Sequence, residues 1–130
     1  MAKYSLLKLL KAQKMAQDGL IYAPKSFKEA TWLQLVEYCN GCGAAGSFFR
    51  PPETIYLTDV SSTCIIHDWC YTMGKTIEDK EEADRIFLNN MIRIFNRADT
   101  WYKCLQVRRA KKYYYAVKLF GGSAFWAGKN

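Results

Sequence analysis

The chain's only histidine, His67, stands beside a carboxylate, Asp68, with a cysteine three residues away on either side, in the stretch Cys64-Ile65-Ile66-His67-Asp68-Trp69-Cys70-Tyr71. An imidazole exchanges protons near neutral pH, and a carboxylate orients an imidazole or holds a cation, so these residue types suit proton transfer, metal binding or both. Asp59, Ser61 and Ser62 supply N-cap candidates before the stretch and Gly74 supplies a stop after it, which predicts one helix over about residues 60–73. On that helix Cys64, His67 and Tyr71 share a face, while Asp68 projects about 100° round. His67 and Asp68 therefore address different things, as a base and a neighbouring ligand would.

A second helix must hold whatever His67 meets. Thr76 and Asp79 form a capping arrangement that starts a helix running to about Ala98. Its apolar face is traced by Ala83, Phe87, Met91, Ile94 and Phe95, and Asp84 lies on the edge of that face. A carboxylate pointing at a core needs a partner, and the single histidine is the natural one. Around this pair the pattern predicts an amphipathic helix over residues 2–20, with Ala2, Leu6, Leu9, Ala16 and Leu20 on one side and Lys8, Lys11 and Lys14 along another. Ser26 and Glu29 read as a capping box for a helix to about Tyr38. Residues 39–46 form a loop rich in glycine and alanine, and residues 47–58, with Pro51-Pro52, read as irregular connection. Asp99-Thr100 caps a last helix over about 101–120, which Gly121-Gly122 ends; its Tyr113-Tyr114-Tyr115 run is packing surface whose hydroxyls could reach a buried carboxylate.

With 130 residues, half of them apolar, the chain is one globular all-α domain. The net charge of +7 is uneven: +4 over residues 1–52, −6 over 53–84 and +9 over 85–130. Basic ends suit an anionic lipid surface or a nucleic acid, but an acidic centre argues against a polyanion across the His67 site unless a cation sits there. No apolar run is long enough to span a bilayer, and lysines interrupt the leucines at the start, so neither a transmembrane segment nor a signal peptide is legible. Five cysteines predict an oxidising, secreted or extracellular setting with one or two disulfides and a leftover thiol.

Three chemistries compete for these residues. Cys39-x-x-Cys42 with Cys64-x-x-His67 has the spacing of a structural zinc site, but it leaves Asp68 and Asp84 without work. A satisfied core histidine with basic surfaces is the plainest alternative, though one imidazole does not require two carboxylates. Hydrolysis with a hard cation employs them all: Asp84 fixes the His67 tautomer, Asp68 binds calcium, and the Gly43 loop adds backbone carbonyls.

The stretch CIIHDWCY resembles the C-x-x-H-D-x-C-Y active-site signature of the secreted phospholipase A2 family. Upstream, CGAAG is similar to that family's C-G-x-G-G calcium loop, and Ala83-Asp84-Arg85 resembles its C-D-R on the antiparallel helix. The likeness covers roughly residues 39–96 and implies a phospholipase A2-like fold with two long antiparallel catalytic helices, an N-terminal amphipathic helix and a disulfide-linked calcium loop. It implies His67 as general base, Asp84 as its orienting partner, Tyr71 bonding to Asp84, and the Gly43 amide at the oxyanion. It implies calcium held by Asp68 with carbonyls of Gly41, Gly43 and Ala45, and a disulfide between Cys42 and Cys64. The implied reaction releases a fatty acid from the sn-2 position of a glycerophospholipid at a membrane, an anionic one by the charge pattern, with no nucleic acid involved. The chain departs from the family at Ala45, where glycine is usual, and at Ala83, which leaves Cys70 without its usual partner; Cys104, Cys39 or no partner remain for it. The sparse cysteine framework is similar to that of bacterial, fungal or viral members. An inactive member of the same fold that binds membrane or a protein is the alternative.

Overall fold

A computed structural model describes residues 4–39, 54–127 and 129. Helix α1 (Leu6–Gln17) is followed by α2 (Lys25–Lys28), α3 (Trp32–Cys39), a hairpin of β1 (Thr54–Ile55) and β2 (Thr58–Asp59), then α4 (Ser61–Met73), α5 (Ile77–Ala98), α6 (Lys103–Phe120) and α7 (Gly122–Trp126). The all-α expectation holds, apart from the two-stranded hairpin where irregular chain was expected.

The platform is α4 against α5. His67 meets Asp84 and Phe87, while Tyr71, one turn later, reaches Asp84 and Lys80, so the partners descend along α5 as they ascend along α4 and the helices are antiparallel. Both start and stop close to expectation. At α5 the Thr76 hydroxyl accepts from the Asp79 amide and the Asp79 carboxylate accepts from the Thr76 amide, which satisfies two otherwise orphaned donors. At α4 the N-cap position falls on Val60, without a side-chain cap; Asp59 instead accepts from the Ser61 amide at 2.8 Å, and Ser61 and Ser62 lie inside the helix. The expected apolar face of α5 is buried throughout.

Elsewhere the local signals were overruled. The predicted helix over 2–20 runs from Leu6, capped by the Ser5 hydroxyl, to Gln17, ending at Gly19 with φ 79°; Ala2 lies outside the described residues. Its buried stripe is Leu9, Ala12, Gln13 and Ala16, which leaves Leu6, Leu7 and Leu10 exposed. Gln13 goes inside because the carbonyls of Phe27, Lys28 and Ala30, where the chain leaves α2, need a donor that its amide supplies. That break replaces the continuous helix expected from Ser26 to Tyr38. Ser26 does not cap; its hydroxyl accepts from the Trp69 indole at 3.1 Å. The working box lies later, where Thr31 and Gln34 exchange bonds at 3.3 and 2.9 Å just before the apolar run of α3.

Helix α6 returns beside α5, bringing its last turn next to the first turn of α5. Gly121 stops it as expected, but the chain continues into α7, whose Phe125 ring lies on Gly74 and edge-on to Tyr71, 5.3 Å between centroids. A Cβ at Gly74 would sit 2.6 Å from the Phe125 ring, so only glycine admits this contact. The hairpin is tied to α6 by Gln106, fully buried, whose amide donates to Thr58 Oγ1 at 2.8 Å and to the Ile55 carbonyl at 3.3 Å.

Candidate active site

The contact that the sequence pattern anticipates is formed: His67 Nε2 lies 2.8 Å from Asp84 Oδ1. Both groups are buried, Asp84 to 1% exposure and His67 to 7%. The Tyr71 hydroxyl donates to the same carboxylate oxygen at 2.6 Å, and the Tyr71 and Phe87 rings flank the imidazole with centroids at 4.1 and 4.7 Å. The tyrosine that serves Asp84 is thus Tyr71 of α4, one turn from His67, and not the Tyr113–Tyr115 run of α6.

The second oxygen, Oδ2, is held by a residue that the periodicity did not single out. Lys80 is only 4% exposed, and its ammonium lies 2.8 Å from Asp84 Oδ2. Burial by itself would push the Asp84 carboxyl up, but hydrogen bonding and charge from His67, with bonds from Lys80 and Tyr71, hold it below the usual carboxylate value. Burial, then the charge and hydrogen bond of Asp84, and then the charge of Asp68 push the Tyr71 phenol up, so it stays a donor. The signal that could have found Lys80 is its i,i+4 spacing from Asp84, which puts both on one face of α5.

Of the alternatives left for Cys70, a bond to Cys104 or Cys39 is not formed and the residue remains a thiol. Among the described residues no disulfide is formed; Cys70 and Cys104 are thiols, the first half-buried and the second exposed. Cys70 faces the position of Ala83, which offers no sulfur, and burial with the nearby Glu82 pushes its thiol up to about 12. The implied Cys42–Cys64 bridge has one member outside the described residues, as do the implied roles of Gly41, Gly43 and Ala45.

Asp68 is half-buried on α4, next to His67 but off its face. With three backbone carbonyls it would make an all-oxygen donor set, the kind a hard dication accepts. The last described residue before the stretch 40–53 is Cys39; the preceding Tyr38 is bonded through its carbonyl to Thr72 of α4, and its ring meets Trp69. The first residue after it, Thr54, opens the hairpin that leads directly into Ser61. The two ends therefore bracket residues 61–72 of α4, roughly 16 Å of helix that includes His67 and Asp68. The zinc alternative requires Cys42, and among the described residues no three metal-binding side chains converge.

Two surface features lie apart from these residues. Between α1 and the start of α4 lies a cavity of about 260 Å³ with Leu7, Ala12 and Met15 on one side and Lys8, Lys11 and Asp59 at its polar edge. At the hairpin, Tyr56 and Leu57 both take positive φ, 46° and 69°, a conformation that disfavours side-chain-bearing residues. Leu57 is 90% exposed, Trp101 91%, and Tyr102 links the two tips, 6.3 Å from Tyr56 and 5.3 Å from Trp101 between rings. No described helix is long and apolar enough to cross a membrane. Comparisons of the chain with protein-family models, with curated proteins and with solved structures find no match.

Proposed function

We propose that the chain hydrolyses the sn-2 acyl ester of glycerophospholipids at a membrane surface in a calcium-dependent reaction, giving a free fatty acid and a lysophospholipid. The observation that carries this reading is the 2.8 Å contact between His67 and Asp84 across two antiparallel helices, with Tyr71 on the same carboxylate. Because Nε2 is committed to Asp84, Nδ1 is the ring nitrogen that takes a proton from the attacking water and returns it to the leaving alkoxide. Asp84, kept ionised, orients the ring and balances the imidazolium that forms. Asp68, with the carbonyls of Gly41, Gly43 and Ala45, would hold calcium, which when bound supplies positive charge at the ester carbonyl oxygen. The Gly43 amide would add a hydrogen bond to that oxygen.

The membrane is favoured as the partner by apolar side chains exposed next to cations. Leu7 and Leu10 of α1 lie among Lys8, Lys11 and Lys14; Leu57 follows Tyr56, over whose ring the Arg109 guanidinium lies, and Trp101 stands two residues before Lys103. Each basic residue near an anionic headgroup layer contributes about 1 kcal/mol at moderate salt.

The deciding experiment is fatty-acid release from vesicles of mixed anionic and zwitterionic lipid, with calcium and with a chelator. Release is expected to stop on chelation. His67→Gln is expected to abolish it with the fold intact, and Asp68→Lys to remove calcium binding and release together. A folded protein that binds vesicles and releases nothing would leave the inactive membrane-binding module as the reading.

A further inference from the structure

A lysine is seldom buried, because its ammonium loses water that only a full set of acceptors replaces. Lys80 has such a set. Its Nζ lies 2.8 Å from Asp84 Oδ2 and 3.2 Å from each of the Val117 and Lys118 carbonyls, so three acceptors meet three donors. The two carbonyls belong to the last turn of α6, where the Val117 carbonyl also accepts from the Gly121 amide at 2.8 Å and the helix dipole favours a cation. One side chain on α5 therefore caps α6 and grips the carboxylate that faces the histidine.

We infer that Lys80 is a positioning residue for the His67–Asp84 pair, its ammonium fixing Asp84 Oδ2 so that Oδ1 stays turned to His67 Nε2 and the Tyr71 hydroxyl. The catalytic consequence rests on the hydrolase reading; the structural claim does not. Asp84 has one oxygen for the imidazole and the phenol and the other for the ammonium, so the carboxylate cannot turn without breaking a charged bond. Without the ammonium, a buried carboxylate keeps only His67 and Tyr71 as partners. It is then free to turn or to take up a proton, and a protonated Asp84 no longer dictates which imidazole nitrogen carries hydrogen. The same cation opposes positive charge on the ring, but it sits on the far oxygen, so its hold on the carboxylate is the larger effect.

The test compares Lys80→Met, Lys80→Gln and Lys80→Arg in the full chain by two readouts. His67 is the only imidazole, so the nitrogen-15 spectrum of the protein in mildly alkaline buffer reports its tautomer without assignment ambiguity. The unaltered chain and Lys80→Arg should show two well-separated ring signals, with the proton on Nε2. In Lys80→Met and Lys80→Gln these signals should converge. In vesicle hydrolysis the same two variants should lose about 10²-fold in kcat with little change in KM, and Lys80→Arg should recover most of it. Should Lys80→Met fail to fold, Gln, which keeps a donor without the charge, against Arg, which keeps the charge, decides the matter. A folded Lys80→Met or Lys80→Gln that retains the separated ring signals overturns the inference. If the unaltered chain releases no fatty acid, the hydrolase reading fails while the nitrogen-15 comparison still decides the role of Lys80.

Discussion

The α4–α5 platform and the surface where the hairpin meets α6 invert the usual distribution of residues in opposite ways. In the platform, three groups that carry or exchange charge, His67, Lys80 and Asp84, are sealed inside, each with partners within 3.2 Å. At the hairpin, Leu57 and Trp101 stand almost fully in water on backbone that includes two consecutive residues at positive φ. Buried polar groups are costly unless satisfied, and exposed large apolar tips gain nothing for stability, so neither arrangement is explained by folding alone. The difference is in what each region needs. The platform needs fixed geometry and loses it if one partner is removed, whereas on the proposed membrane reading the tips need only to be presented to the lipid surface.

That contrast can be broken most directly at Asp84. Asp84→Ala leaves the Lys80 ammonium buried without its counter-ion and should destabilise the chain by about 3–5 kcal/mol in urea unfolding. A change below 1 kcal/mol would show the platform to be less tightly coupled than its geometry. The acid limb sharpens the same point. Because the native Asp84 carboxyl lies below its usual value, the unfolded chain takes up that proton first as pH falls. The stability it contributes is present above the ordinary carboxylate range and is lost as pH drops through the native value. Asp84→Asn should flatten that part of the urea-midpoint profile.

Gly121 tests the platform from its other wall. A Cβ there would lie 2.5 Å from both the Tyr71 hydroxyl and the Val117 carbonyl, so Gly121→Ala must displace the corner of α6 or the tyrosine. A loss of about 1–3 kcal/mol is expected, together with weaker fatty-acid release, because Tyr71 is pushed from Asp84. At the opposite extreme, Trp101→Ala combined with Leu57→Ser should change stability by less than about 0.5 kcal/mol while lowering affinity for anionic vesicles. Unchanged vesicle binding in that variant would remove the hairpin surface from the membrane contact and leave α1 as the candidate.

Much of the platform was readable from the chain. The Thr76–Asp79 box, the 3.6-residue recurrence from Ala83 to Phe95 and the stop at Gly74 are local signals, and they placed His67 and Asp84 on facing helices before any packing was known. The i,i+4 relation of His67 and Tyr71 is likewise intrinsic to a helix. The local rules failed where a distant group competed for a residue. Ser26 was lost as a cap to Trp69, 43 positions away, and Gln13 was drawn inside by carbonyls 14 to 17 positions on.

The helices whose signals lie within one or two turns, and the chemistry of the residues they carry, are therefore legible in the chain alone. That Lys80 is an interior residue follows from packing, because the Val117 and Lys118 carbonyls that complete its shell lie 37 and 38 positions later. Packing also decided that Gly121 abuts Tyr71, that α7 closes over Gly74, and that no described cysteine is bonded to Cys70. Periodicity shows which side of a helix turns inward; only packing shows which charged groups find enough partners there to remain.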